Sequence, residues 1–142
     1  MAIFELLPSA RRFGTILGEH DSQDMKKVLV IDDSEETRLT ISELLNSAGY
    51  VTIDAPDGVL GFQLARDSHP DLILCDIQMP QIDGYETRRV LRKNEFTAGI
   101  PFIFVSGFAR DGSKMGADDY LPKPFTVSEL IGTVTKKLET RQ

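Results

Sequence analysis

Three aspartates and one lysine, each following a short apolar run, are the residues of this chain best suited to chemistry. Val28-Leu29-Val30-Ile31 leads into Asp32-Asp33, Leu72-Ile73-Leu74-Cys75 leads into Asp76, and Asp118-Asp119-Tyr120-Leu121-Pro122 leads into Lys123. Runs of about four apolar residues bounded by turn signals suit buried strands of a parallel sheet. Ligands of such sheets collect beyond the carboxyl ends of the strands, where strand order reverses. Carboxylates gathered there repel one another until a hard divalent cation neutralises them. Mg²⁺ and phosphoryl chemistry are what this combination offers.

The elements that must position these residues alternate between strand and helix from Lys27 onward, the pattern of an α/β protein. Strands are expected over about 27–31, 50–53, 72–75, 102–105 and 119–121. Glu35 and Glu36 suit the positive end of a first helix, whose Ile41, Leu44, Leu45 and Ala48 recur at helical spacing before Gly49. Asp57-Gly58 leads into a second helix with Leu60, Phe62, Leu64 and Ala65, closed by His69-Pro70. Asp83-Gly84 opens a third, with Tyr85, Val90 and Leu91 as its inward side. In the last helix Val127, Leu130, Ile131, Val134 and Leu138 form one stripe, and Thr126 with Glu129 forms a capping box.

The 142 residues fit one domain of ordinary size, with 41% hydrophobic residues to build its core. A net charge of -6 argues against broad, sequence-independent binding to nucleic acid, which relies on excess Lys and Arg. The single cysteine, Cys75, excludes an internal disulfide and suits a reducing compartment. His20 and His69 have no partners at zinc-ligand spacing. No apolar stretch approaches the roughly 20 residues of a membrane span, and the first residues lack a secretory signal. A cytoplasmic location is expected. Residues 1–24, with Ile3, Phe4, Leu6, Leu7, Phe13, Ile16 and Leu17, are too apolar for an ordinary disordered tail. They are read as an N-terminal extension of helical character, and residues 25–142 as the domain.

These residues resemble the receiver domain of two-component response regulators. Val28 to Ser34 is similar to that family's first strand and acidic pair, and Leu72 to Pro80 with Asp83-Gly84 to the segment around its phosphoacceptor. Val105-Ser106-Gly107 resembles the fourth strand with its switch hydroxyl, and Gly116 to Phe125 the fifth strand with its Lys-Pro turn. The resemblance implies a doubly wound five-stranded parallel sheet of order 2-1-3-4-5, in a flavodoxin-like three-layer sandwich. It implies that Asp76 accepts a phosphoryl group from a histidine kinase or histidine phosphotransfer protein. Asp33, Asp76 and the backbone carbonyl of Gln78 would bind Mg²⁺ directly, and Asp32 mostly through a metal-bound water. Ser106 would hydrogen-bond a phosphoryl oxygen, Lys123 would pair first with Asp76 and then with the phosphoryl group, and Tyr120 would change rotamer with Ser106 as the domain switches. The output would be contact with a downstream protein. Such a protein assists its own phosphorylation and dephosphorylation without being a metabolic enzyme.

One departure from the family lies between Ser106 and Gly116, where the crossover is short and Gly112 interrupts it. A shortened fourth helix is expected there. Sheet surface that this helix normally covers needs another cover, from residues 1–24 or from a second subunit in a homodimer. Phe108, two residues after Ser106, is expected to restrict the water that hydrolyses the phosphorylated state. Two other functions compete with the switch: a degenerate receiver acting as an interaction or dimerisation module, and a Mg²⁺-dependent phosphohydrolase. Against the second stands Gln78, where such enzymes often carry another acid. Direct DNA regulation would require an appended effector domain and is not expected.

Overall fold

Two sets of side chains alternate along the strands, and each set is buried under its own layer of helices. The structure, a computed structural model, describes residues 25–107 and 119–140. Its strands are β1 (Lys27–Ile31), β2 (Val51–Ala55), β3 (Leu72–Cys75), β4 (Phe102–Ser106) and β5 (Tyr120–Pro122). The described helices are α1 (Glu35–Ser47), α2 (Gly58–Ser68), α3 (Gly84–Lys93) and α4 (Val127–Thr140). The strands form one parallel sheet of order β2-β1-β3-β4-β5, so the doubly wound expectation holds.

On one face Val28, Val30, Leu72, Leu74, Ile103 and Val105 meet Ile41 and Leu45 of α1 and Leu130, Val134 and Leu138 of α4. On the other, Leu29, Ile31, Ile73, Cys75, Phe102 and Phe104 meet Ala65 of α2 and Leu91 of α3. Burying both faces leaves the central strands no polar outward positions, hence their unbroken apolar runs.

The helix starts follow from their caps. Ser34, Asp57 and Asp83 each accept a hydrogen bond from the backbone N–H three residues on, at 3.2, 2.8 and 2.8 Å. Thr126 and Glu129 bond reciprocally at 2.8 and 3.1 Å, the expected capping box. Gly49 follows the Ala48 cap of α1 with φ +98°, which suits glycine.

Several expectations shift. β2 starts at Val51, because its pairing runs from Lys27 with Val51 to Ile31 with Ala55, and Tyr50 instead bonds Thr135 Oγ1 through its hydroxyl at 2.8 Å. β4 extends to Ser106, which pairs with Pro122, and β5 begins at Tyr120. Tyr85, Leu60 and Val127 are exposed. The buried residues of α3 are Gly84, Thr87 and Leu91; those of α2 are Gly58, Gly61 and Ala65, with the expected Phe62 and Leu64 packed against the same core. Residues 1–24 and the expected shortened fourth helix, with Phe108, lie outside the described residues.

Candidate functional site

The carboxyl ends of β1 and β3 lie side by side because Ile31 pairs with Cys75, so the next residues, Asp32 and Asp76, emerge together. The ladder continues past the strands: Asp76 N–H donates to Ile31 O at 2.9 Å, and Asp32 N–H to Ala55 O at 3.1 Å. At β1 the chain leaves toward β2 on one side, while β3 lies on the other. That is the reversal in strand order where open sheets form their crevice. Carboxylate oxygens of Asp32, Asp33 and Asp76 lie within 4.8 Å of one another.

Each acid sits in a different environment. Asp32 is buried, with one oxygen accepting from Ser34 N–H at 2.9 Å and the other from Lys123 Nζ at 2.8 Å. Asp33 is exposed. Asp76 is 12% exposed, and its Oδ1 accepts from Ile77 N–H at 2.7 Å. Burial raises the Asp76 pKa above the usual carboxylate value; Lys123 works against this, and Asp32 adds to it. Hydrogen bonds from Ser106 and Ile77 also pull it down without reversing the shift.

Lys123 arrives from the far edge of the sheet. Its N–H donates to Ser106 O at 3.0 Å, extending the β4–β5 ladder, and a cis Lys123–Pro124 peptide follows. Its amine lies 2.8 Å from Asp32 and 3.5 Å from Asp76. The pairing with Asp76 that the resemblance implied is present, and a shorter contact goes to Asp32. Asp32 is the more deeply buried charge and so the costlier to leave unpaired. Burial alone would lower the lysine pKa, but Asp32 and then Asp76 outweigh it and hold the amine above its ordinary 10.5.

Ser106 ends β4, buried, and its carbonyl also accepts from the Tyr120 hydroxyl at 3.1 Å. Tyr120 is half-buried against the core. Gln78 is exposed on the loop from Asp76 to α3. That loop is held down by Gly84 N–H, which donates to Ile77 O at 2.7 Å. A Cβ on Gly84 would be driven into the Asp76 carbonyl oxygen and stand 2.9 Å from Ile77 Cα, so only glycine fits.

Sequence reasoning did not single out Arg38. Its side chain is 14% exposed; Nη1 donates to Asp32 O and Nε to Asp54 Oδ2, each at 2.8 Å. An arginine in the first turns of the helix that follows the acidic pair was the available signal. Cys75, expected to fill the core, is buried, and burial followed by the charge of Asp76 pushes its thiol pKa well up. His69 is exposed and caps α2. On α3 the Arg88 guanidinium lies over the Phe102 and Phe104 rings at 6.0 and 5.6 Å.

Residues 28–135 match the response regulator receiver domain family. The chain belongs to this family. Its members are phosphorylation-controlled switches of two-component signalling and are not classed as enzymes. The receiver domain is 36% identical over 118 residues to the polar-differentiation response regulator DivK of Brucella ovis, covering 80% of this chain and 96% of that protein. It is 38% identical over 115 residues to the DNA-binding dual master transcriptional regulator RpaA of Synechocystis, covering 78% of this chain and 48% of that protein. The chain thus spans about half of RpaA and nearly all of DivK.

Among solved structures, the chemotaxis protein CheY4 of Vibrio cholerae superposes with a TM-score of 0.73 at 30% identity, over 79% of this chain and 98% of that one. The receiver domain of the Francisella response regulator 1452 gives 0.73 at 33% identity, over 82% and 99%. Receiver domains bind Mg²⁺ at an acidic pocket, and three convergent carboxylates suit that ion's preference for oxygen ligands. Among the described residues, no helix is long and apolar enough to cross a membrane.

Proposed function

We propose that residues 25–142 form a receiver that takes a phosphoryl group on Asp76 from a phosphohistidine of a histidine kinase or phosphotransfer protein. It then signals through contact with a downstream protein in the cytoplasm. A carboxylate oxygen of Asp76 attacks phosphorus as the phosphorus–nitrogen bond of the donor breaks; the bonding pair leaves with the imidazole, which takes up a proton from solvent. Asp33, Asp76 and the Gln78 carbonyl would hold Mg²⁺, with Asp32 acting through water. Bound there, the ion would neutralise carboxylate charge and polarise the phosphoryl oxygens. Asp32 already spends both side-chain oxygens on Ser34 and Lys123. That favours an indirect role for it and leaves Asp33 for direct ligation.

The observation that carries this reading is the meeting of Asp32, Asp33, Asp76 and Lys123 at one rim of the sheet, with Asp76 only partly enclosed. Lys123 can exchange its Asp76 contact for a phosphoryl oxygen by a small movement, because Asp32 holds its amine in place. Ser106 at the end of β4 and Tyr120 on β5 are joined through the Ser106 carbonyl. Recruitment of the Ser106 hydroxyl by a phosphoryl oxygen is therefore felt at Tyr120, a two-state element biased by a local charge event. Leu39 and Val127, both exposed and each near the start of its helix, offer apolar contact to a phosphodonor. Residues 1–24 would be an added segment, and a homodimer a further assembly of residues 25–142. The test is phosphotransfer from an autophosphorylated histidine kinase. Transfer that EDTA abolishes and Asp76→Asn abolishes supports the reading; transfer that survives either overturns it.

A further inference from the structure

The peptide between Asp32 and Asp33 determines where the Asp33 carboxylate points relative to its two partners, and one side chain holds that peptide. Arg38 Nη1 donates to the Asp32 carbonyl at 2.8 Å, while its Nε is fixed on Asp54 Oδ2 of β2, also at 2.8 Å. The remaining anchors lie to either side: Asp32 N–H on Ala55 O and Ser34 N–H on Asp32 Oδ1. Asp33 is exposed, so neighbouring packing does little to hold its side chain. Its placement depends on backbone orientation, and so on Arg38.

We propose that Arg38 is a positioning residue for cation binding, acting through the Asp32–Asp33 peptide to set the Asp33 carboxylate against Asp76. The inference rests on the metal site proposed above. It runs against simple electrostatics, which makes it testable by sign. A guanidinium beside a divalent cation site repels the ion, so removing it for charge reasons alone should tighten binding. Loss of positioning should weaken binding instead. Groups that orient metal ligands typically matter by about 10- to 100-fold in metal affinity. Lysine keeps the charge, but its single ammonium on a flexible stem cannot hold both acceptors in a fixed fork.

Mg²⁺ affinity is measured by calorimetry on the full chain as wild type, Arg38→Met and Arg38→Lys, with melting curves as folding controls. Both variants should bind Mg²⁺ about tenfold more weakly. Their phosphorylation by acetyl phosphate should return to within about twofold of wild type at saturating Mg²⁺, because positioning is then enforced by mass action. Unchanged or tighter binding in Arg38→Lys overturns the inference, as does a rate deficit that saturating Mg²⁺ leaves in place. Should Arg38→Met fail to fold, Arg38→Lys decides. Wild type that binds no Mg²⁺ sinks the proposed function itself; wild type that binds, with Arg38→Lys its equal, sinks only the role of Arg38.

Discussion

Among the described residues, Lys123 is the one side-chain cation joined to both Asp32 and Asp76, and replacing it by Met removes that link. At an effective dielectric near 20, unit charges attract by about 6 kcal/mol at 2.8 Å and about 5 kcal/mol at 3.5 Å, the two distances from its amine. Against this stands the cost of desolvating an ammonium whose side chain keeps 25% exposure, several kcal/mol. Breaking a buried pair by deleting one partner costs about 3–5 kcal/mol, because the other charge stays buried and unpaired. Set beside a total stability of about 5–15 kcal/mol, this is large but survivable. With a urea slope of about 2 kcal/mol/M, the midpoint in EDTA at pH 7 should fall by roughly 1.5–2.5 M.

The same substitution carries two internal controls. Acid should shrink the deficit, because Asp76, whose pKa is already raised, then takes up a proton and ceases to repel Asp32. Alkali should shrink it too. The wild-type lysine has a folded pKa raised above 10.5, so its stabilisation is present below that value and is lost as pH rises through the folded value. Mg²⁺ should narrow the gap at neutral pH by supplying charge to the same carboxylates. A midpoint unchanged in EDTA, or a deficit independent of pH, refutes the electrostatic account of the site.

Further predictions concern single residues. Asp76→Asn should stabilise the metal-free domain at pH 7: the raised pKa means the folded state binds the proton more tightly, so wild-type stability falls as pH rises through that range. In urea titrations the two proteins should converge toward low pH, and a gap that persists there contradicts the shift. Gly84→Ala should cost at least about 1–3 kcal/mol, since backbone atoms of Asp76 and Ile77 block its Cβ. Gly61→Ala meets side-chain rather than backbone atoms, Ile31 Cδ1 at 2.5 Å and Cγ1 at 2.9 Å, and should cost less; thermal melts compare them. Thr126→Ala should lower stability by about 1 kcal/mol through loss of the α4 cap, read from the same melts.

The apolar runs at residues 28–31 and 72–75 made the sheet legible, because strands buried on both faces need no polar alternation. Convergence of Asp32, Asp33, Asp76 and Lys123 was legible for the same reason: each follows a strand, and parallel strands end at one rim. Side-chain periodicity served less well where packing depends on missing side chains. Gly61 lets α2 close on Ile31, and Gly84 lets α3 close on the Asp76 carbonyl, yet neither counts as apolar. Thr87 is buried because its hydroxyl bonds back to Asp83 O at 2.8 Å, satisfying the polar group inside the helix. Arg38 escaped notice because its partners, a backbone carbonyl and an acid on a neighbouring strand, are brought to it only by folding. Val127 and Tyr85 sat on the expected stripes yet are exposed, Tyr85 while still laying its ring against Phe104 at 5.2 Å.

Intact mass measurement after incubation with acetyl phosphate and Mg²⁺ tests the central claim most directly, with wild type and Asp76→Asn run side by side. One phosphoryl group should add to wild type, disappear when EDTA replaces Mg²⁺, and never add to Asp76→Asn. No adduct on wild type, or an adduct that Asp76→Asn retains, contradicts the account.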